Sequence, residues 1–160
     1  MSFRYVPNHI IGPFRGQWAF LSNFFFASVV FEADEYPTVE HAYQAAKTID
    51  PVRRRWIRQC ATPGRAKAAG RRLPLRPDWA QVKLTVMEAL LREKFTRHPD
   101  LAEQLRATYP HTLIELNAWG DQFWGVCHGR GQNHLGRILM SIRAELLSTH
   151  ERPRSINRDR

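Results

Sequence analysis

The segment from Trp79 to Arg97 constrains this chain most. Val82, Val86, Leu90 and Phe95, with Met87 and Leu91, recur at helical spacing. They predict one helix of about five turns with a continuous apolar stripe. Such a stripe must be covered by other elements. Pro74 and Pro77 impose an extended approach to it, and Asp78 is placed to cap it. The covering elements are shorter helices. Thr38 reads as an N-cap for a helix reaching about Thr48, and Asp50–Pro51 as a break followed by a helix over Val52–Gln59 with Pro51 at its first position. An Ala-rich helix after Pro63–Gly64 stops at Gly70, and a short helix covers Leu101–Ala107. A last helix, capped by Asn133, turns Leu135, Ile138, Leu139, Ile142 and Leu146 inward. "SVVF", "EADE" and "YPT" read as a strand, a polar turn and a return. "HTLIEL" is a strand or a buried extended segment.

The chain has 160 residues and is 43% apolar, which suits one domain with one core. The expectation is an α+β fold, a mainly α-helical single domain with a small N-terminal β element. Residues 1–13 form an arm and residues 14–147 the folded unit. Residues 148–160 form a basic tail, expected to be mobile because it is charged and almost without apolar residues. No apolar run approaches the ~20 residues of a membrane helix, and "MSFRYVPNHI" lacks the core of a signal peptide. Cys60 and Cys127 are far apart with no CxxC pair, which suits a reducing, cytoplasmic setting. His41, His128 and His134 lack metal-ligand spacing with carboxylates, so neither a metal nor another cofactor is expected.

The net charge of +9 is concentrated. Between Pro51 and Pro77 there is no Asp or Glu, but Arg53, Arg54, Arg55, Arg58, Arg65, Lys67, Arg71, Arg72 and Arg76 occur. Such a block either attracts polyanions or forms a solvated helix face.

Two stretches carry candidate chemistry. In "YPTVEHAYQAAK", Glu40, Gln44 and Lys47 stand at i, i+4 and i+7 and share one helix face. That column can hold a polar ligand or be a surface ion-pair ladder, and Glu40 in a first turn also complements the positive helix end. In "NAWGDQFWGVCHGRGQN", Asp121 lies between Trp119 and Trp124. Desolvation there would raise its pKa and favour acid–base work, whereas a turn aspartate beside core tryptophans needs no such role. Gly129, Gly131 and Asn133 precede a helix and offer N–H groups to a phosphate, without P-loop spacing. Trp79 is a helix-start aromatic or a stacking plate for a base. Ser22 and Asn23, set among aromatics in "FLSNF", fasten a turn or grip a ligand.

"FRGQWAFLSNF", "YPTVEHAYQAAK", "TPGRAKAAGRRLPLRPDW", "LLREKF" and "NAWGDQFWGVCHGRGQNHLGRILM" occur in this order, and in this the chain resembles the NADAR family over roughly residues 14–147. The resemblance implies a mainly helical α+β domain and metal-free hydrolysis of N-glycosidic bonds. Glu40 matches the family's active-site glutamate in "PT.EH", Asp121 the aspartate three before Trp-Gly, and Lys47 the lysine closing "QA.K". Trp79, Ser22, Asn23, Gly129, Gly131 and Asn133 match further family positions. Family members acting on riboflavin intermediates tend to carry an acid directly after Trp-Gly, where this chain has Val126. In that it resembles members that remove ADP-ribose from guanine bases.

Cleaving a ribose C1′–N bond passes through an oxocarbenium-like centre. It calls for negative charge near C1′, a proton donor for the leaving nitrogen and a positioned water. The expected catalytic set is Glu40, Asp121 and Lys47. The expected binding set is Trp79, Ser22, Asn23, Arg15, Gln44, Trp124, Gly129, Gly131 and Asn133. Glu40 activates water and stabilises the cation, Asp121 assists departure of the base, Lys47 orients a carboxylate or a ribose hydroxyl, and Arg15 helps hold phosphate. The expected partner is ADP-ribosylated nucleic acid or a phosphorylated ribosyl small molecule such as a ribosylaminopyrimidine. A non-catalytic ADP-ribose or NAD-binding module is the alternative of another class. The oligomeric state is not legible.

Overall fold

The computed structural model describes residues 9–150. Most of the expected N-terminal arm, residues 1–8, and the tail from residue 151 lie outside them. Among the described residues the α-helices are α1 (Val39–Ala46), α2 (Pro51–Arg58), α3 (Pro63–Gly70), α4 (Trp79–Arg97), α5 (Pro99–Ala107) and α6 (His134–His150). A short 3-10 helix spans Gly16–Leu21. α6 runs past residue 147, where the folded unit was expected to end.

Local chemistry sets several helix starts. The side chains of Thr38, Asp50 and Thr62 accept from the N–H groups of His41, Val52 and Arg65 at 3.2, 2.9 and 3.2 Å. Pro51, Pro63 and Pro99 occupy first turns, where a missing N–H costs nothing. Two expected caps are not formed. The Asp78 carboxylate accepts instead from the Arg76 guanidinium at 2.6 and 3.0 Å, a charged partner outcompeting a backbone one. Asn133 sits at φ 52°, and its side chain reaches back to the Glu115 N–H and the Leu113 carbonyl.

α1 is the centre of the molecule. Every residue from Val39 to Ala46 is buried, and α2, α3 and α4 pack around it. α4 contributes the stripe the sequence announces. Met87, Leu90, Leu91 and Phe95 are at most 1% exposed, each worth roughly 1.5–3 kcal/mol of burial. Leu135, Leu139 and Ile142 of α6 complete the core from the other side.

The strands are short: β1 (Ile10–Ile11), β2 (Val29–Phe31), β3 (Asp34–Tyr36), β4 (Thr112–Leu113), β5 (Leu116–Asn117) and β6 (Val126–Cys127). β2 and β3 form the expected hairpin, with Val29 opposite Tyr36. Glu32 and Ala33 turn it at φ 47° and 70°, the left-handed pair that suits a two-residue loop. β1 pairs in parallel with β4, and β5 in parallel with β6. "HTLIEL" therefore supplies two partners, and one of them ties down Ile10–Ile11 within the stretch expected to be an arm.

The Lys94 ammonium, on α4, is wholly buried and donates to the carbonyls of Phe20 (2.6 Å) and Ser22 (3.0 Å). This fixes the aromatic segment 20–26 against the helix layer.

Candidate active site

α1 forms one wall of a cavity of about 970 Å³. Glu40, Tyr43, Gln44 and Lys47 all line it. The column is therefore not a surface ladder: Glu40 is 6% and Gln44 3% exposed. Gln44 Nε2 donates to Glu40 Oε1 at 2.7 Å. Burial pushes the Glu40 carboxyl above the usual carboxylate range. The Gln44 hydrogen bond and the charges of Lys67, Lys47 and Arg71 oppose that. Burial likewise pushes the Lys47 ammonium down, with Glu40 opposing.

The segment after the 3-10 helix forms a second wall. Ser22 Oγ accepts from the Phe24 N–H at 3.1 Å, so it fastens the turn. The Asn23 carbonyl accepts from the Glu40 N–H at 3.1 Å, locking this turn to the start of α1. Arg15, Phe24, Phe25 and Phe26 also line the cavity.

The loop between β5 and β6 forms the third wall. Asp121 Oδ1 accepts from the N–H groups of Phe123 (3.1 Å) and Trp124 (2.9 Å). Asn117 clamps the Asp121 backbone from both sides, donating to its carbonyl at 2.7 Å and accepting its N–H at 3.0 Å. Asp121 and Trp124 face the same cavity as Glu40. Burial first, and then the charges of Glu40 and Asp121, push the phenol of Tyr43 up. The two acids, far apart in sequence, thus line one cavity.

Among the described residues three buried side-chain atoms have no hydrogen-bond partner: Asn23 Oδ1, Gln44 Oε1 and Glu115 Oε2. All three residues line the cavity. Buried polar atoms are normally partnered, so their clustering marks a place where a ligand's donors would complete the network.

Four expected binding residues lie elsewhere. Trp79 is buried behind Tyr43, with ring centroids 5.1 Å apart, and is absent from the cavity wall. It braces the aromatic wall instead of stacking on a base. Gly129 belongs to a tight turn in which Cys127 and Arg130 exchange both backbone hydrogen bonds. Gly131 is needed because a Cβ there would lie 2.1 Å from the Gly125 carbonyl. The N–H groups of Gln132, Asn133, His134 and Leu135 donate to the carbonyls of Gln122, Gly125, Phe123 and Trp124. Of the expected phosphate cradle, the Asn133 N–H is therefore engaged, as is that of Gln132 beside it, and what they hold is the loop bearing Asp121 and Trp124.

Two charged groups of the cavity wall escaped the sequence reading. Glu115, on the "HTLIEL" segment, lines the cavity, and its signal was a lone acid between apolar neighbours. Lys67 was counted only within the basic block, where it is the single lysine. Its ammonium lies 5.7 Å from the ring centroids of both Phe24 and Trp119 at the cavity wall. Part of the block is neutralised: Arg53, Arg54, Arg58 and Arg76 pair with Asp50, Glu32, Asp34 and Asp78. Among the described residues Arg55, Arg65, Lys67, Arg71 and Arg72 have no ion-pair partner.

The model of the NADAR domain matches residues 12–147. The chain is 40% identical over 128 residues to a protein named N-glycosidase YbiA from Escherichia coli, covering 78% of this chain and 79% of that one. It is 37% identical over 130 residues to a protein of Vibrio vulnificus named as a riboflavin biosynthesis protein, covering 79% of this chain but 35% of that longer one. The NMR structure of E. coli YbiA superposes with a TM-score of 0.82 at 34% identity, covering 96% of this chain and 94% of that one.

Proposed function

The chain belongs to the NADAR family, and from that premise we infer that it is an N-glycosidase hydrolysing a ribose C1′–N bond. Its substrate is ADP-ribose attached to a guanine base of nucleic acid. The observation that carries this reading is the cavity in which Glu40 and Asp121 share walls with Arg15, Lys47 and Lys67. Two acids meet the charge that develops at C1′ and on the leaving base. Three cations suit a diphosphate. A volume near 970 Å³ is at the upper end for ligand sites of about 300–1,000 Å³, which favours a dinucleotide-sized group. Phe24 and Trp119, exposed at its wall, offer faces for flat rings.

In this reading Glu40, held by Gln44, takes the proton of the attacking water and offsets the oxocarbenium charge. Asp121 assists departure of the base from the β5–β6 loop. Lys47 keeps Glu40 oriented and contacts a ribose hydroxyl. Asn23 and Gln44, each with a free acceptor atom, take sugar hydroxyls. A pure ADP-ribose reader would have no need of a buried glutamate within reach of the sugar.

A second reading is hydrolysis of phosphorylated ribosylaminopyrimidines, favoured by the name of the Vibrio relative, a riboflavin biosynthesis protein. Incubation with an ADP-ribosylguanine oligonucleotide and, separately, with the ribosylaminopyrimidine phosphate, followed by mass analysis, decides between them. Free ADP-ribose from the first alone supports the main reading. Base release from the second alone replaces it, and no release from either removes the hydrolase assignment.

A further inference from the structure

Glu115 has no role in the scheme above, yet its backbone is held firmly in the cavity wall. Its N–H donates to Asn133 Oδ1 at 3.0 Å, and its carbonyl accepts from the Val126 N–H at 2.8 Å. Gly125 presses against it so closely that a Cβ there would lie 2.2 Å from the Glu115 carbonyl oxygen and 3.1 Å from its Cγ. The backbone on both sides is thus fixed, and the carboxyl lines the cavity with Oε2 buried and unpartnered. An ionised carboxylate in that position would leave Oε2 buried without a donor. A protonated one has an O–H to give.

We propose that Glu115 is the general acid of this site: its carboxyl proton passes to the leaving nitrogen as the C1′–N bond breaks. This rests on the hydrolase reading and assigns within it a step left to Asp121 alone. The bond electrons stay on the base nitrogen, which takes the Glu115 proton. Water oxygen bonds to C1′, and its proton passes to Glu40. Exchange with solvent returns a proton to Glu115 and removes one from Glu40, so the net reaction is addition of one water. Asp121, besides assisting departure of the base, keeps Glu115 protonated. Burial first, and then the Asp121 charge, push the Glu115 carboxyl up to about 7, while Arg15 from the 3-10 helix entry and Lys67 from α3 pull against this. The pattern, two carboxyls of different environment in one site with one kept protonated, is a general way to obtain an acid at neutral pH.

The test is the pH profile of kcat for base release by the wild type, Glu115→Gln and Asp121→Asn. Wild-type kcat should fall as pH rises through about 7, because the donor is lost. Glu115→Gln should lower kcat by about 10²–10⁴-fold and flatten that limb. Asp121→Asn removes the neighbouring charge, so the limb should move to lower pH, a change that a merely structural aspartate would not produce. Glu115→Gln with near-wild-type kcat and an unchanged limb overturns the assignment while leaving the hydrolase reading intact. Loss of base release by the wild type itself would instead sink the hydrolase reading. Should Glu115→Gln fail to fold, wild-type protein labelled with ¹³C at the glutamate carboxyls still decides. A glutamate titrating near 7 that is absent from Glu115→Asp supports the proposal, and glutamates all titrating in the ordinary range refute it.

Discussion

Replacing Gly70 by alanine sets two physical effects against each other. Gly70 is the last residue of α3 and has ordinary helical backbone, so alanine there should favour the helix by up to about 1 kcal/mol. A Cβ at that position would nevertheless lie 2.0 Å from Gln44 Oε1 and 2.7 Å from its Cδ. The amide end of Gln44 can swing, and its Cβ, 3.0 Å away, needs only a shift of α3 against α1 by tenths of an ångström, so the fold survives and the Gln44 amide moves. That breaks the 2.7 Å bond from Gln44 Nε2 to Glu40 Oε1. Hydrogen bonds to charged groups are worth about 1.5–3 kcal/mol. If that bond holds Glu40 for the transition state, kcat/KM should fall by about 10–100-fold. Without the Gln44 donor the Glu40 carboxyl moves further upward, so the acidic limb of the rate profile should shift to higher pH. Base-release kinetics and a thermal melt on the same preparation read both effects. Gly64→Ala, whose Cβ would meet nothing nearer than Thr62 Oγ1 at 3.9 Å, is the control and should keep full activity. Wild-type kinetics in Gly70→Ala with an unmoved acidic limb would refute a positioning role for Gln44.

Two other substitutions separate holding from binding. Asn133→Ala leaves the Glu115 N–H and the Leu113 carbonyl without partners, at about 1–3 kcal/mol each, so denaturant unfolding should show a clear loss of stability. A drop in affinity for phosphate-bearing ligand at unchanged stability would revive the cradle reading. Lys94→Met strips the donors from the Phe20 and Ser22 carbonyls and frees the segment bearing Asn23 and Phe24. KM should rise several-fold along with a lower Tm, and an unchanged KM would show that the segment is held by other contacts.

Features set by neighbours in sequence were legible. Thr38 caps a helix three residues on, Asp50–Pro51 marks a helix start, and the α4 stripe needs only helical spacing. The Glu40–Gln44–Lys47 column was legible for the same reason, although whether it faced solvent or a cavity depended on α2, α3 and α4 closing around α1. Asp78 and Asn133 look equally good as caps in sequence, but a guanidinium two residues away claimed one and a strand segment eighteen residues back claimed the other. Trp79 illustrates the limit. The sequence places an indole at a helix start, but only the position of Tyr43 in space decides that the ring sits behind the wall. Glu115 was obscured because an acid beside a two-residue strand has no periodicity to announce which side it faces.

The central claim is that carboxyls from α1 and from the β5–β6 loop act on one anomeric carbon. Its most direct measurement is base release by Glu40→Gln and Asp121→Asn, each verified as folded. The amide oxygen that Asp121→Asn introduces can still accept from the Phe123 and Trp124 N–H groups, so the loop should keep its shape. Each variant should lose at least about 100-fold in kcat. Undiminished turnover in both folded variants would contradict the account.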